Sequence, residues 1–204
     1  MKLVFLDIET NGLDMEMHIL VEISLIITDG NCTQEECEYT SLVKPMAVGK
    51  EEFEKASAPE AMIVNGITYE MLREEGKLPT QIMIEIEDLF VKHRIFHGEA
   101  VFICQNPSFD RAFINKIFCQ ARMKQLKWPY HWLDLASMFF MKYFGSCHPV
   151  PYIVSLSKDS IAHAMGLPPE EIPHRALNGV RHLMMCYKRM RCMNCFVDQP
   201  YSKK

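Results

Sequence analysis

Asp7 and Glu9 stand two residues apart at the end of an apolar run, in Leu6-Asp7-Ile8-Glu9-Thr10-Asn11-Gly12-Leu13. Side chains of a strand alternate between faces, so the two carboxylates project together while Ile8 packs behind them. Anions forced side by side repel each other and lose hydration, and a divalent cation is the natural compensation. Oxygen ligands of this kind suit magnesium or manganese, and paired ions of that sort serve phosphodiester hydrolysis. Asp-x-Glu alone is common, however, and a solvated strand end explains it as well. Two further residues bear on the choice. Asp110, in Asn106-Pro107-Ser108-Phe109-Asp110, falls where an apolar run gives way to helical spacing. A carboxylate in a helix's first turn gains from the helix dipole, and strand-to-helix junctions of open sheets are also where binding sites gather. His174 precedes another helical segment, and an imidazole beside a metal cluster is suited to take a proton from an attacking water.

The elements that must position these residues follow from periodicity. Lys2 to Leu6 reads as a buried strand, Ile19 to Thr28 as a second, and Asp29-Gly30 as the turn before a third, near Cys37 to Val43. This is a three-stranded meander. Glu51 to Lys77 reads as short helices and loops, with Asn65-Gly66-Ile67-Thr68 a turn leading into a helix cap. Ile82 to His93 carries the stripe of an amphipathic helix, Ala100 to Cys104 reads as a strand, and Ser108 to Met123 as a helix. Trp132 to Phe144, Ser157 to Met165 and Ala176 to Met190 complete the helical segments. Strands first, then strand-helix alternation, predict an α/β fold: a mixed sheet flanked by helices.

The chain has 204 residues, 49% of them hydrophobic, enough for one substantial core. The expectation is a single domain over 1–204, with a core to about residue 190 and a short C-terminal tail. No run is long and apolar enough for a membrane span or signal peptide. Eight scattered cysteines fit reduced thiols in a cytoplasmic protein better than a disulfide framework. Cys192-Met193-Asn194-Cys195, with Cys186 and His182 upstream, has the spacing of half a zinc site, but a matching second pair is missing. A net charge of −4 offers no global attraction to polyanions, so nucleic acid must be held locally or through metals.

Taken together, these stretches resemble the DEDD exonuclease superfamily, in its DEDDh branch of DnaQ-like proofreading subunits, RNase T and oligoribonuclease. Leu6 to Leu13 resembles the family's first motif, Cys104 to Phe113 its second, and His174-Arg175-Ala176-Leu177 the start of its third. Val21-Glu22-Ile23, Gly66-Ile67-Thr68, Leu133-Asp134-Leu135-Ala136 and Ala164-Met165-Gly166-Leu167 add to the likeness. The resemblance implies a ribonuclease H-like fold with a mixed five-stranded sheet, an antiparallel meander plus parallel strands. It implies two cations, Mg2+ or Mn2+, on Asp7, Glu9 and Asp110, with His174 as general base. Thr10, Gly12, Leu13, Asn106 and Phe109 would line the cleft for the terminal nucleotide, Leu13 as a wedge against its base. The implied reaction is 3′–5′ release of nucleoside monophosphates from single-stranded DNA or RNA ends. A polymerase or repair assembly and a homodimer are both admissible partners.

The third motif departs from the pattern. The family's Asp, five residues after the histidine, is replaced by Gly179. Asn178 offers a carbonyl oxygen, but it is neutral and lies about 100° around a regular helix from position 179. A carboxylate from elsewhere, with Asp159 and Asp198 as candidates, is a second solution. The third is a module that keeps the fold and grips nucleic-acid ends with weakened catalysis or none. Gln105 also stands where the family often has a histidine.

Overall fold

The computed structural model describes residues 1–46, 48–145 and 155–192. Five strands form one sheet: β1 (Lys2–Thr10), β2 (Leu20–Asp29), β3 (Glu35–Leu42), β4 (Ala100–Cys104) and β5 (Trp132–Asp134), in the order β3-β2-β1-β4-β5. β1 pairs antiparallel with β2 and parallel with β4, so the meander and the parallel half meet at β1. The mixed five-stranded sheet expected from the sequence is thus present.

Alternation along β1 distributes its side chains between two cores. Val4, Leu6 and Ile8 pack with α4 (Pro79–His93) and α5 (Pro107–Ile117) through Ile82, Ile86, Phe90, Phe113 and Ile114. Leu3 and Phe5 face α7 (Leu135–Phe144), α8 (Lys158–Ala164) and α9 (Ala176–Cys192) through Leu135, Phe139, Ile161, Val180 and Leu183. Asp7 and Glu9 continue the second row, so the period of two carries them onto the face that α9 covers. Three short helices, α1 (Lys50–Ala56), α2 (Pro59–Asn65) and α3 (Tyr69–Glu74), build a smaller cluster on Val21, Leu42, Phe53, Ile67 and Leu72. Thr68 caps α3, its hydroxyl accepting from the Met71 N–H at 3.2 Å, as the turn in that stretch suggested.

Two elements differ from the periodicity. The helix read over Ser108 to Met123 is broken: α5 ends at Ile117 and α6 spans Gln120–Gln125. Phe118 takes an extended conformation between them and buries its ring 4.8 Å from Trp128. The stretch read as helix from Trp132 begins as β5, and α7 starts only after Asp134, whose carboxylate accepts from the Ala136 and Ser137 N–H groups. Trp132 stacks on Phe102 of the neighbouring strand at 4.1 Å, a cross-strand contact invisible to local spacing. Among the described residues no helix is long and apolar enough to cross a membrane.

Candidate active site

Asp7 and Glu9 line a cavity of about 260 Å³ together with Ile8, Ser157, Lys158, Asp159, Glu170 and His174. Three segments remote in sequence supply its wall: the end of β1, the start of α8, and the loop before α9. Burial pushes both β1 carboxyls up, each reinforced by acidic neighbours. Glu9 is raised to about 8 by desolvation and then by the Asp7 charge. Asp7 is raised by desolvation, with Lys158 pulling the other way and Glu170 adding to the rise.

Asp110 sits in the first turn of α5, directly after β4, and is 2% exposed. Its carboxyl is held well above the usual carboxylate range by burial and by the Asp7 charge, with Glu9 contributing less. One oxygen, Oδ2, is buried without a hydrogen-bond partner. A buried oxygen left unpaired costs about 1–3 kcal/mol, so it marks a place where a partner belongs. An all-oxygen donor set with such an orphan fits a hard divalent cation. As the side chains stand, no three His, Cys, Asp or Glu among the described residues are gathered tightly enough to hold one.

His174 is fixed by its backbone, whose N–H donates to Val64 O at 2.9 Å at the end of α2. Gly66, with φ of 64°, ends that helix in the left-handed region, and a Cβ there would lie 3.3 Å from Pro173. The next residue, Arg175, donates from Nε and Nη2 to Glu22 at 3.0 and 2.5 Å, and the Ala176 N–H donates to the same carboxylate at 2.8 Å. Glu22 lies opposite Glu9 across the β1–β2 ladder. It therefore ties the start of α9 to the sheet and holds His174 at the cavity.

Position 179 is occupied in a different way. Gly179 packs so closely on β1 that a Cβ would lie 1.7 Å from Asp7 Oδ2 and 3.0 Å from Glu170 Oε1. Two carboxylates thus fill the space a side chain would need. Between them lies the Lys158 ammonium, 3.2 Å from Asp7 Oδ2, 2.8 Å from Glu170 Oε2 and 3.5 Å from Gly179 O. Burial opposes the charge on Lys158, but the two carboxylates outweigh it and its pKa is raised. Neither Lys158 nor Glu170 stood out in the sequence. Glu170 follows Pro168-Pro169 in a loop with no motif, and only the fold brings that loop to β1. Asp159, considered as a replacement ligand, accepts from the Glu170 N–H at 2.9 Å and anchors that loop. Asn178 is turned away from the cavity, its amide donating to Glu171 at 3.3 Å. Asp198 lies outside the described residues.

The residues expected to line a nucleotide cleft fall into two kinds. Leu13 is 81% exposed, so it is not a core residue. Asn106 is exposed at the α5 N-terminus, where its amide oxygen accepts from the Ser108 hydroxyl at 2.6 Å. Phe109 is half-buried against the Phe113 ring at 4.9 Å, so it serves the core at least in part. Thr10 is buried and donates to Gly12 O at 2.7 Å, shaping the turn that presents Leu13. Gly12 lies under the His18 ring, which a Cβ would meet at 2.3 Å. Gln105 donates to Leu156 O at 2.7 Å. Of the half zinc site, Cys186 is buried among apolar residues and His182 Nε2 lies 2.9 Å from Pro168 O, while residues 193–195 are outside the described ones.

Comparisons with known proteins bear on the family and the fold. Residues 4–185 match the RNase T family model, described as Exonuclease. The PolC-type DNA polymerase III of Thermotoga petrophila is 27% identical over 179 residues, 87% of this chain but 11% of that protein. That of Thermotoga maritima is 27% identical over 178 residues, with the same coverage. The chain thus spans about a tenth of the length of these curated relatives. Among solved structures, a zinc-bound Escherichia coli ExoI–ssDNA complex superposes with a TM-score of 0.72 at 19% identity, covering 93% of this chain and 40% of that one. Exonuclease I of Methylocaldum szegediense gives 0.66 at 18% identity, with the same coverage.

Proposed function

Because the chain belongs to the RNase T exonuclease family, we propose that it is a metal-dependent 3′–5′ exonuclease releasing nucleoside monophosphates from single-stranded DNA or RNA. The observation that carries this reading is the orphaned Oδ2 of Asp110, buried close enough to Asp7 and Glu9 to feel both charges, while those two acids line the cavity that holds His174. Asp7, Glu9 and Asp110 would hold the divalent ions, Mg2+ or Mn2+. When bound, such ions polarise a phosphodiester and make a water nucleophilic near neutral pH.

The chain's own residues do the rest. His174 accepts the proton of the attacking water, its position fixed by the Val64 and Glu22 anchors. Leu13, exposed on its loop, packs against the terminal base, a contact of the kind that contributes about 1–3 kcal/mol per base. Asn106 and Phe109 border the same path. Support for a single-stranded substrate comes from the oligonucleotide complexes of E. coli Exonuclease I, which include dT13 and dA16. The PolC-type relatives favour a polymerase or repair setting. The direct test is an end-labelled oligomer incubated with Mg2+ or Mn2+. Mononucleotides released from the 3′ end are expected, and a folded chain releasing none with either ion would refute the assignment.

A second reading draws on Gly179 and on the Lys158 ammonium already seated among the acids. On this reading the chain grips nucleic-acid ends with little or no turnover. It predicts oligonucleotide binding at unchanged substrate length.

A further inference from the structure

We propose that Lys158 is a tethered cation standing in for one of two divalent ions, and that Glu170 replaces the carboxylate missing at position 179. The proposal rests on the nuclease reading of the site. Lys158 has three N–H donors, and its three neighbours are all oxygens: Asp7 Oδ2, Glu170 Oε2 and Gly179 O. This is the environment of a bound cation rather than of a surface lysine. The side chains of Lys158 and Asp7 are each 13% exposed and that of Glu170 is 4% exposed.

Local structure does not explain the lysine. It is the first residue of α8, where a helix dipole disfavours positive charge. The Ser157 hydroxyl accepts from the Ser160 N–H at 3.2 Å and supplies the cap, so the helix start has no need of Lys158. Gly179 completes the arrangement. Any side chain there would collide with Asp7 Oδ2, and Glu170 Oε1 lies 3.0 Å from where its Cβ would be. Loss of the carboxylate from α9 and gain of one from the loop are therefore one substitution in space. Asp159 secures it by accepting from the Glu170 N–H.

The consequence is that one divalent ion remains to be bound, with Glu9, Asp110 and Asp7 as its ligands. Mn2+ binding by the whole chain, followed by isothermal titration calorimetry, tests this without reference to activity. The wild-type chain should take up one Mn2+, and Lys158→Gln should take up two. The double variant Lys158→Gln, Glu170→Gln should return to one, because the ligand of the second ion is then gone. Two ions bound by the wild-type chain, a result that needs no variant to fold, would overturn the tethered cation. So would equal stoichiometry in wild type and Lys158→Gln. In either case Asp110→Asn separates the two proposals: loss of Mn2+ binding leaves the nuclease reading standing, and undiminished binding removes it as well.

Discussion

Two clusters of buried charge meet the start of α9, and they are built to opposite rules. In one, Glu22 receives three N–H groups from Arg175 and Ala176, and its side chain is 5% exposed. In the other, four acids, Asp7, Glu9, Asp110 and Glu170, lie near one ammonium that pairs only with Asp7 and Glu170, and Asp110 Oδ2 has no partner. A saturated ion pair fixes geometry. An acid-rich cluster with one cation is costly to ionise, through burial first and mutual repulsion second, and the carboxyls of Asp7, Glu9 and Asp110 are all pushed up. The first cluster holds a helix in place, and the second is poised for positively charged ligands.

That contrast is open to experiment. Asp110→Asn should lower nuclease activity by more than roughly 100-fold, the upper end for losing a group that merely supports a metal ligand. Its thermal midpoint should stay level or rise, because a repelling, unpaired carboxyl is removed. A clear loss of stability would place Asp110 in the structural class with Glu22.

The pH dependence follows from the raised carboxyls. A carboxyl whose folded pKa exceeds its unfolded value binds more protons in the native state, so it stabilises most below the unfolded value. For Glu9 that stability fades as pH rises from about 4.5 through about 8. Asp29, lowered to about 2 by backbone N–H groups, acts only below this window. Without divalent ions, denaturant midpoints should therefore fall between pH 5 and 8, and Mn2+ should restore them most at the upper end. Midpoints that climb over this range would contradict the account.

Arg175→Met should cost about 3 kcal/mol, the low end for a broken buried pair, since Arg175 is one-third exposed. Activity should fall with it as His174 loses its anchor, and urea titration reads the first effect. Gly179→Asp, which restores the family residue, should gain no activity and lose about 1–3 kcal/mol by overpacking against Asp7. A large gain in mononucleotide release would show that Glu170 does not do this work. The smallest effect is expected at Leu13→Ala, about 1 kcal/mol in affinity for single-stranded ends with stability unchanged, because the side chain touches solvent rather than core. Fluorescence anisotropy with a labelled oligomer measures it.

Much of this was legible from spacing. The face shared by Asp7 and Glu9 follows from the period of a strand, and Asp110 from its place after an apolar run. The break at Phe118 and the strand at Trp132 were not legible, because each is set by a ring packing on a residue from another element. Position 179 shows the limit most clearly. Read along the chain, glycine is a missing ligand, whereas in space its lack of a side chain admits Asp7, Glu170 and Lys158.

The sequence by itself determined four of the five strands, most of the helices, and which acids stand at the end of β1 and in the first turn after β4, since these depend on local periodicity. Only the tertiary structure decided that Glu170 and Lys158 belong to the same site. Their loop and helix lie more than 140 residues from Asp7 along the chain. Coulombic attraction depends on distance in space, and no local pattern encodes that distance.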